Sequence, residues 1–437
     1  MKVDYDPIIF VQQESVDMEE FIIGTYYVEM ETADYLKRAG ALAVEQTTGT
    51  WLPVPEETLE VRKAHVGRLI AVHPIPNYEQ AWPTETKEKK CIIQLAFPWK
   101  NIGQQIPELL STVIGNISMA GKLKLLDLQF PKSWTQAFQG PRFGVPGLRK
   151  LIGEPEEPLL LGMIKPCTGI PPATIGKVFY QLAVAGLEMI KDDELIADPA
   201  HAPWEARLEA VLEARERAYK ETGKYSLYFL NVTDRQDKML AKAKKAVKLG
   251  CPALMVNVHA TGYGTIQMLA EDPEINVPIL SHSCYAGTIV ESPYTGISSH
   301  LALGKLQRLD GADIVCYPTS YGKLPLIRER YIRSGQCMLS PFHHLKPNFP
   351  LPAAGIHPGM VPVLMRDLGT DLIIGAGGAM HGHPMGPAAG IAALRQAVRA
   401  TMKGISLQEA ASTQKELKAA LDAWGDYSSK SIFELLQ

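Results

Sequence analysis

After Pro158 the sequence settles into a repeat: a short apolar run, then a stretch of helical periodicity, at intervals of roughly 20 to 40 residues. Eight such runs are expected as strands, at 159–165, 187–191, 226–232, 253–258, 277–282, 312–317, 349–356 and 371–375. Runs this short and this apolar suit strands buried on both faces, because the helices that link parallel strands cover the sheet above and below. The spacing of Leu208, Val211, Leu212 and Arg215 predicts a helix over 204–222, with Gly223 to stop it. Eight βα units over roughly 270 residues predict a (β/α)8 barrel. An open doubly wound sheet is the alternative with the same rhythm.

The first 130 residues read differently. Residues 21–30, 68–75, 91–99 and 123–130 have strand character, whereas 32–47 and 102–114 read as helices. This predicts a small α+β unit with one sheet covered by two helices. A Gly- and Pro-rich loop at 139–147 marks the boundary, giving domains 1–140 and 141–437.

Composition narrows the function classes. Of 437 residues, 46% are hydrophobic and 21% charged, which excludes disordered, collagen-like and membrane classes. The 44 Lys and Arg against 47 Asp and Glu leave a net charge of -3, so there is no global basic excess to neutralise a nucleic-acid backbone. No window of 18 apolar residues free of charges or breakers exists, and residues 1–30 lack a basic segment followed by a long apolar stretch; neither membrane insertion nor secretion is expected. The six cysteines include no Cys-x-x-Cys pair and read as free thiols of a cytoplasmic protein.

Barrel enzymes carry their reactive groups where strands end and βα loops begin. Those positions hold Lys165, the run Lys191-Asp192-Asp193-Glu194, Asn231, His259, His282 and Gly377-Gly378. Strand alternation points Lys191 and Asp193 to one side, with Glu194 just past the strand end. Two carboxylates without His or Cys suit a hard cation, and Mg2+ is the expected one. An ammonium beside it would repel the ion, but a lysine that loses its proton and adds CO2 becomes a carbamate with an anionic oxygen to offer; burial favours the neutral amine that this requires. The plainer alternative is an exposed charged turn.

The glycines of Gly375-Ala376-Gly377-Gly378 follow a strand and could let backbone N–H groups approach a phosphate, or serve geometry alone. Gly322-Lys323 adds a cation on the loop after strand six, either to close over that phosphate or as a surface lysine. His282 reads as a strand-end functional group or a core histidine. His381 and His383 flank a glycine and precede a proline, without the helical spacing of a metal pair, so zinc is not expected there.

Gly186-Leu187-Glu188-Met189-Ile190-Lys191-Asp192-Asp193-Glu194 closely resembles the metal motif of the RuBisCO large-subunit superfamily. Gly162-Met163-Ile164-Lys165-Pro166 is similar to that family's first barrel-strand motif, Glu45-Gln46-Thr47-Thr48-Gly49-Thr50-Trp51 to its N-terminal active-site segment, and Gly115-Asn116 to its asparagine loop. His282, Gly322-Lys323, Gly355-Ile356-His357 and Gly377-Gly378 through Gly382-His383-Pro384 follow in family order. The resemblance implies an α/β chain with an N-terminal ferredoxin-like α+β domain followed by a C-terminal TIM (β/α)8 barrel. It implies a homodimer whose first domains complete the partner's site, and Mg2+ held by carbamylated Lys191 with Asp193 and Glu194. It assigns proton transfer to Lys165, a substrate hydroxyl to His282 and phosphate closure to Lys323. Glu45, Thr50, Trp51 and Asn116 would serve from the partner subunit, and Gly355, Gly377 and Gly378 line the first phosphate site.

Departures from the family pattern decide what kind of member is expected. Cys167 stands where carboxylases carry a second lysine, Ser283 where they carry an arginine, Cys316 for a histidine and Ala353 for a serine. The lost arginine and histidine belong to the second phosphate site. Since each charge-assisted contact is worth about 1.5–3 kcal/mol, a bisphosphate is not expected. What remains suits enolisation of a small monophosphorylated keto substrate, and Pro318-Thr319-Ser320-Tyr321-Gly322 and Gly355-Ile356-His357-Pro358-Gly359 resemble the methionine-salvage branch that acts on 2,3-diketo-5-methylthiopentyl-1-phosphate. That branch has a lysine base where this chain has Asn116, which leaves Lys165 or the carbamate to take the proton. Isomerisation of a 5-methylthioribulose-1-phosphate-like sugar, decarboxylation of a 3-oxo sugar-acid phosphate, and a non-catalytic regulatory role are the alternatives.

Overall fold

A computed structural model describes residues 5–428 except 51, 53 and 154. The chain divides into two compact units, one running to Phe138 and including Tyr285–Ala302, the other comprising Gln139–Cys284 and the residues from Leu303 onward.

In the first unit β1 (Phe21–Glu31), β2 (Arg68–Ile75), β3 (Glu88–Pro98) and β4 (Leu123–Gln129) form antiparallel neighbours in the order β4-β1-β3-β2. Helices Tyr35–Glu45 and Ile106–Val113 connect β1 to β2 and β3 to β4. This β-α-β-β-α-β sequence with its split order is the ferredoxin-like arrangement. Asp34 caps the first helix by accepting from the Lys37 N–H at 2.9 Å, and the helix buries Ala39, Leu42 and Ala43 along one stripe.

The second unit holds β5 (Leu159–Met163), β6 (Met189–Lys191), β7 (Leu227–Asn231), β8 (Ala253–Val256), β9 (Ile279–His282), β11 (Ile314–Pro318), β12 (Phe349–Ala353) and β13 (Ile373–Ala376), all parallel. Their order is β12-β11-β9-β8-β7-β6-β5-β13. At the two ends of that order, the backbone of Gly375 on β13 lies against Leu351, Pro352 and Ala353 of β12, so the sheet nearly closes into a barrel. The open-sheet alternative is thereby set aside. All eight runs expected as strands are strands, and the helix expected over 204–222 is Trp204–Thr222, ended by Gly223.

One strand was not expected: β10 (Gly296–Ile297) pairs in parallel with β4 and makes the first sheet mixed. Lys124 donates to the Val290 carbonyl at 2.9 Å and the Ser298 N–H to the Leu125 carbonyl at 2.9 Å, tying segment Tyr285–Ala302 into that unit.

Side-chain parity explains why the barrel mouth is polar. Leu161 and Met163, Met189, Phe229, Leu280, Ile314, Leu351 and Ile373 belong to one buried cluster inside the barrel. Because alternate residues of a strand share a face, the same face continues two residues on to Lys165, Lys191, Asn231, His282, Cys316, Ala353 and Gly375. The opposite end is plugged by helix Gly144–Ile152, whose Val145 and Leu148 join the cluster. Asp313 fastens that plug by accepting from the N–H groups of Phe143 at 2.7 Å, Gly144 at 2.8 Å and Ile279 at 2.9 Å. Closed below by apolar packing, the barrel can offer chemistry only at the carboxyl ends of its strands.

Candidate active site at the carboxyl ends of the barrel strands

Strand β6 ends in Lys191, whose side chain is 0% exposed. Its ammonium donates to the Asp192 carbonyl at 2.9 Å and to Glu194 Oε2 at 3.1 Å. Burial opposes ionisation of Glu194, but the Lys191 charge outweighs it and holds the carboxyl down at about 2. Asp192 turns away from this pair. Buried, it accepts from Arg207 at 3.0 and 3.2 Å, from the Tyr228 hydroxyl at 2.6 Å and from the Asn231 N–H at 3.0 Å. Arg207 also donates to the carbonyls of Ala202, Ile196 and Ala197, so one buried guanidinium shapes the segment that follows Glu194. Asn257 completes the support, donating to the Glu194 carbonyl at 2.9 Å.

His282, at the end of β9, places Nε2 3.3 Å from Glu194 Oε2. Its Nδ1 accepts from the Cys284 N–H at 3.1 Å, so the neutral ring carries its proton on Nε2. Burial and the Lys191 charge push its pKa down to about 3. Lys165, just past β5, pairs with Asp193 Oδ2 at 2.7 Å and donates to the Cys167 sulfur at 2.8 Å. Burial disfavours the Lys165 ammonium, but the Asp193 bond outweighs burial and leaves its pKa raised. Lys165, Lys191, Asp193, Glu194 and His282 are thus gathered at one strand-end cluster.

Lys323, Gly355, Gly377 and Gly378, the residues expected to meet a phosphate, lie in the same unit. Lys323 is exposed, and its N–H donates to the Ala354 carbonyl at 2.8 Å. That docking requires glycine on both sides. A Cβ on Gly322 would stand 2.0 Å from the Ala354 oxygen, and one on Gly355, at φ +96°, would stand 3.0 Å from the Lys323 nitrogen. Gly377 lies against the Lys165 methylenes and Met163, while Gly378 opens the short helix Gly378–His381 with open space beside its Cα.

Glu45, Thr50 and Asn116 lie in the first unit. Asn116 donates to Glu45 Oε1 at 3.3 Å, and Gln46 holds the asparagine loop by donating to the Thr112 carbonyl at 2.6 Å and accepting from the Ile117 N–H at 3.3 Å. The Thr50 hydroxyl donates to Glu57 at 2.9 Å. Trp51 lies outside the described residues.

Among the described residues, no three His, Cys, Asp or Glu side chains gather as a metal site. The donor set at Asp193 and Glu194 therefore falls one anion short, and the nearest group able to supply it is buried Lys191. Two carboxylates with a third oxygen from a lysine carbamate fit a hard cation. His381 and His383 are otherwise engaged: His381 Nε2 donates to the Met163 carbonyl at 2.9 Å, and His383 bonds the Glu416 carbonyl at 3.0 Å while accepting from the Met385 N–H. All six cysteines are free, and among the described residues no helix is long and apolar enough to cross a membrane.

Two supports carry no signal in the sequence pattern: the Arg207–Asp192–Tyr228 network, whose members are far apart in the chain, and Gln46, which stands inside the expected active-site segment yet serves to hold the asparagine loop.

The chain matches the families described as ribulose bisphosphate carboxylase large chain, N-terminal domain, over residues 10–134, and ribulose bisphosphate carboxylase large chain, catalytic domain, over 144–424. A ribulose bisphosphate carboxylase-like protein of Archaeoglobus fulgidus is 48% identical over 392 residues, 90% of each chain. A 2,3-diketo-5-methylthiopentyl-1-phosphate enolase of Bacillus licheniformis is 40% identical over 405 residues, 92% of this chain and 98% of its own. The crystal structure of a rubisco-like protein, MtnW, from Alicyclobacillus acidocaldarius matches with a TM-score of 0.86 at 35% identity, covering 93% of this chain and 100% of that one. With both domains matched and relatives of this similarity along nearly its whole length, the chain belongs to the RuBisCO large-chain family.

Proposed function

We propose that this RuBisCO-like chain is a Mg2+-dependent enolase or tautomerase of a monophosphorylated keto compound of the 2,3-diketo-5-methylthiopentyl-1-phosphate class, and not a CO2-fixing carboxylase. The observation that carries this reading is the gathering of Lys165, Asp193, Lys191, Glu194 and His282 at the strand ends, in contacts of 2.7 Å for Lys165–Asp193, 3.1 Å for Lys191–Glu194 and 3.3 Å for His282–Glu194. The enolase name of a relative 40% identical over 92% of this chain supports the same class.

Asp193, Glu194 and Lys191, the last as its CO2 carbamate, would hold Mg2+. Held there, the ion would supply Lewis-acid polarisation of a substrate carbonyl and would offset negative charge beside it. Lys165, in its neutral form, is the candidate base, because the Asn116 amide nitrogen is not basic and its N–H donates instead to Glu45; the Asp193 contact that raises the Lys165 pKa must first be given up. The Nε2–H of His282 orients a substrate oxygen. Lys323 and the backbone of Gly355, Gly377 and Gly378 bind the phosphate, and Glu45, Thr50, Trp51 and Asn116 serve from the partner subunit of a homodimer. A second phosphate lacks a cation: Ser283 is neutral, and burial pushes the Cys316 thiol up to about 12.

The test is direct conversion of the diketone phosphate to its enol in the presence of Mg2+ and bicarbonate, followed by proton NMR. Turnover of the diketone, with no fixation of labelled CO2 onto ribulose bisphosphate, is the expected result. Fixation would contradict the reading. Turnover of 5-methylthioribulose 1-phosphate or of a 3-oxo sugar-acid phosphate with the diketone untouched would move the assignment to an isomerase or a decarboxylase.

A further inference from the structure

We propose that Tyr321, Arg328 and Asp367 form a latch that fixes both stems of the Lys323 loop and thereby positions Lys323 for an incoming phosphate. The loop occupies 319–327, between β11 and helix Arg328–Leu339. Asp367 lies on helix Val361–Leu368 with its side chain 0% exposed. It accepts from the Tyr321 hydroxyl at 2.5 Å and from Arg328 at 2.5 Å, and Arg328 Nε donates back to the Tyr321 oxygen at 3.1 Å. The three side chains therefore close a ring of hydrogen bonds. Tyr321 directly precedes Gly322-Lys323 and Arg328 directly follows the loop, so one buried carboxylate grips both ends.

A carboxylate removed from water is costly to bury unless it is paired and hydrogen-bonded. Here both oxygens are paired: the two hydrogen-bond donors sit on the loop stems, and Arg366 of the same helix adds a longer ion pair at 3.7 Å. The Leu326 N–H adds a backbone tie to the Thr319 carbonyl at 3.2 Å, and the Tyr321 ring packs edge-on against Tyr331 with centroids 6.3 Å apart. Lys323 and Leu324 at the tip remain exposed. Stems held at a buried point, with a free tip, restrict where the Lys323 ammonium can reach. Tyr321 and Arg328 are positioning residues: they act through the loop and touch no reacting atom.

The test compares the full-length protein with Tyr321→Phe, which keeps the ring and loses the hydroxyl, and with Arg328→Lys, which keeps the charge and loses the fork. Amide hydrogen exchange over 319–327 should accelerate about tenfold in Tyr321→Phe, the loss of one hydrogen bond to a charged group, with the barrel strands unchanged. Protection of Lys323 by inorganic phosphate against an amine-acylating reagent should weaken in parallel. Arg328→Lys should fall between wild type and Tyr321→Phe, and is read in its place if the latter does not fold. Unchanged exchange over 319–327 overturns the proposal, as does acceleration spread over the whole barrel. The kinetic arm rests on the enolase reading: KM for the monophosphate should rise about tenfold with kcat within about twofold. If no monophosphate is turned over by wild type while local exchange still accelerates, the latch stands and the enolase reading fails.

Discussion

Lys191 is the residue on which the proposed chemistry turns. Its side chain is fully buried, yet it faces the carboxylate of Glu194, and among the described residues no three His, Cys, Asp or Glu side chains gather as a metal site without it. Lys191→Met should therefore abolish Mg2+ binding in bicarbonate, measured by titration calorimetry, while the melting temperature stays near that of wild type; Mg2+ affinity equal to wild type would contradict the assignment. The neighbouring groups also predict a pH dependence of stability in the metal-free protein. His282 is depressed from 6.5 to about 3, so between those values the unfolded chain binds a proton that the folded chain refuses. Its contribution is fully present above about 6.5 and is lost as pH falls toward 3. Glu194, held at about 2 against 4.5, adds a loss of the same sign at lower pH. Melting temperature should fall on acidification, and His282→Asn should flatten the part of the curve between pH 6.5 and 4.5. An identical slope in that variant would refute the assignment to His282.

The elements that carry these residues were legible to different degrees. The eight barrel strands could be read from their apolar runs because both faces are buried, and the parity that puts Lys191 and His282 on the interior face continues that of Met189 and Leu280. Strand β10 could not be read: its two residues show no periodicity, and its pairing with β4 joins positions far apart in sequence. Nor could the role of Asp192, since its partner Arg207 sits in a helix rich in charged residues and looks like a surface side chain. Yet both are fully withdrawn from water. Removing one member of such a pair leaves a buried unpaired charge, so Arg207→Met should destabilise the protein by about 3–5 kcal/mol in denaturant unfolding, and lower Mg2+ affinity by releasing the segment after Glu194. A loss below about 1 kcal/mol, as for an exposed pair, would show that this support is dispensable. At the expected phosphate side, Gly322→Ala sets a methyl 2.0 Å from the Ala354 oxygen and must push the Lys323 loop off its docking point just past β12. KM for the monophosphate should rise about tenfold or more, the loss of one charge-assisted contact; an unaltered KM would mean that this loop does not hold the phosphate.

Across the molecule, the candidate residues divide between two units: Glu45, Thr50 and Asn116 in the first, and the proton-transfer and cation groups in the second. The proposed homodimer with shared sites makes this division testable. Glu45→Ala and Lys191→Met, each inactive alone, should regain measurable activity when unfolded together and refolded as a mixture; failure of the mixture while each variant still forms a dimer would count against shared sites. Family membership and fold follow from the whole chain, whereas the enolase assignment depends on a few positions, chiefly Cys167, Ser283, Cys316 and Ala353, where the carboxylase pattern is absent. The proposed chemistry is the withdrawal, at the barrel mouth, of a carbon-bound proton beside a carbonyl with help from a cation held at Lys191. It is tested most directly by exchange of that proton for deuterium in D2O, followed by NMR on the diketone phosphate. Exchange that requires both Mg2+ and CO2 and vanishes in Lys191→Met is predicted; exchange that persists without the cation, or in that variant, would contradict it.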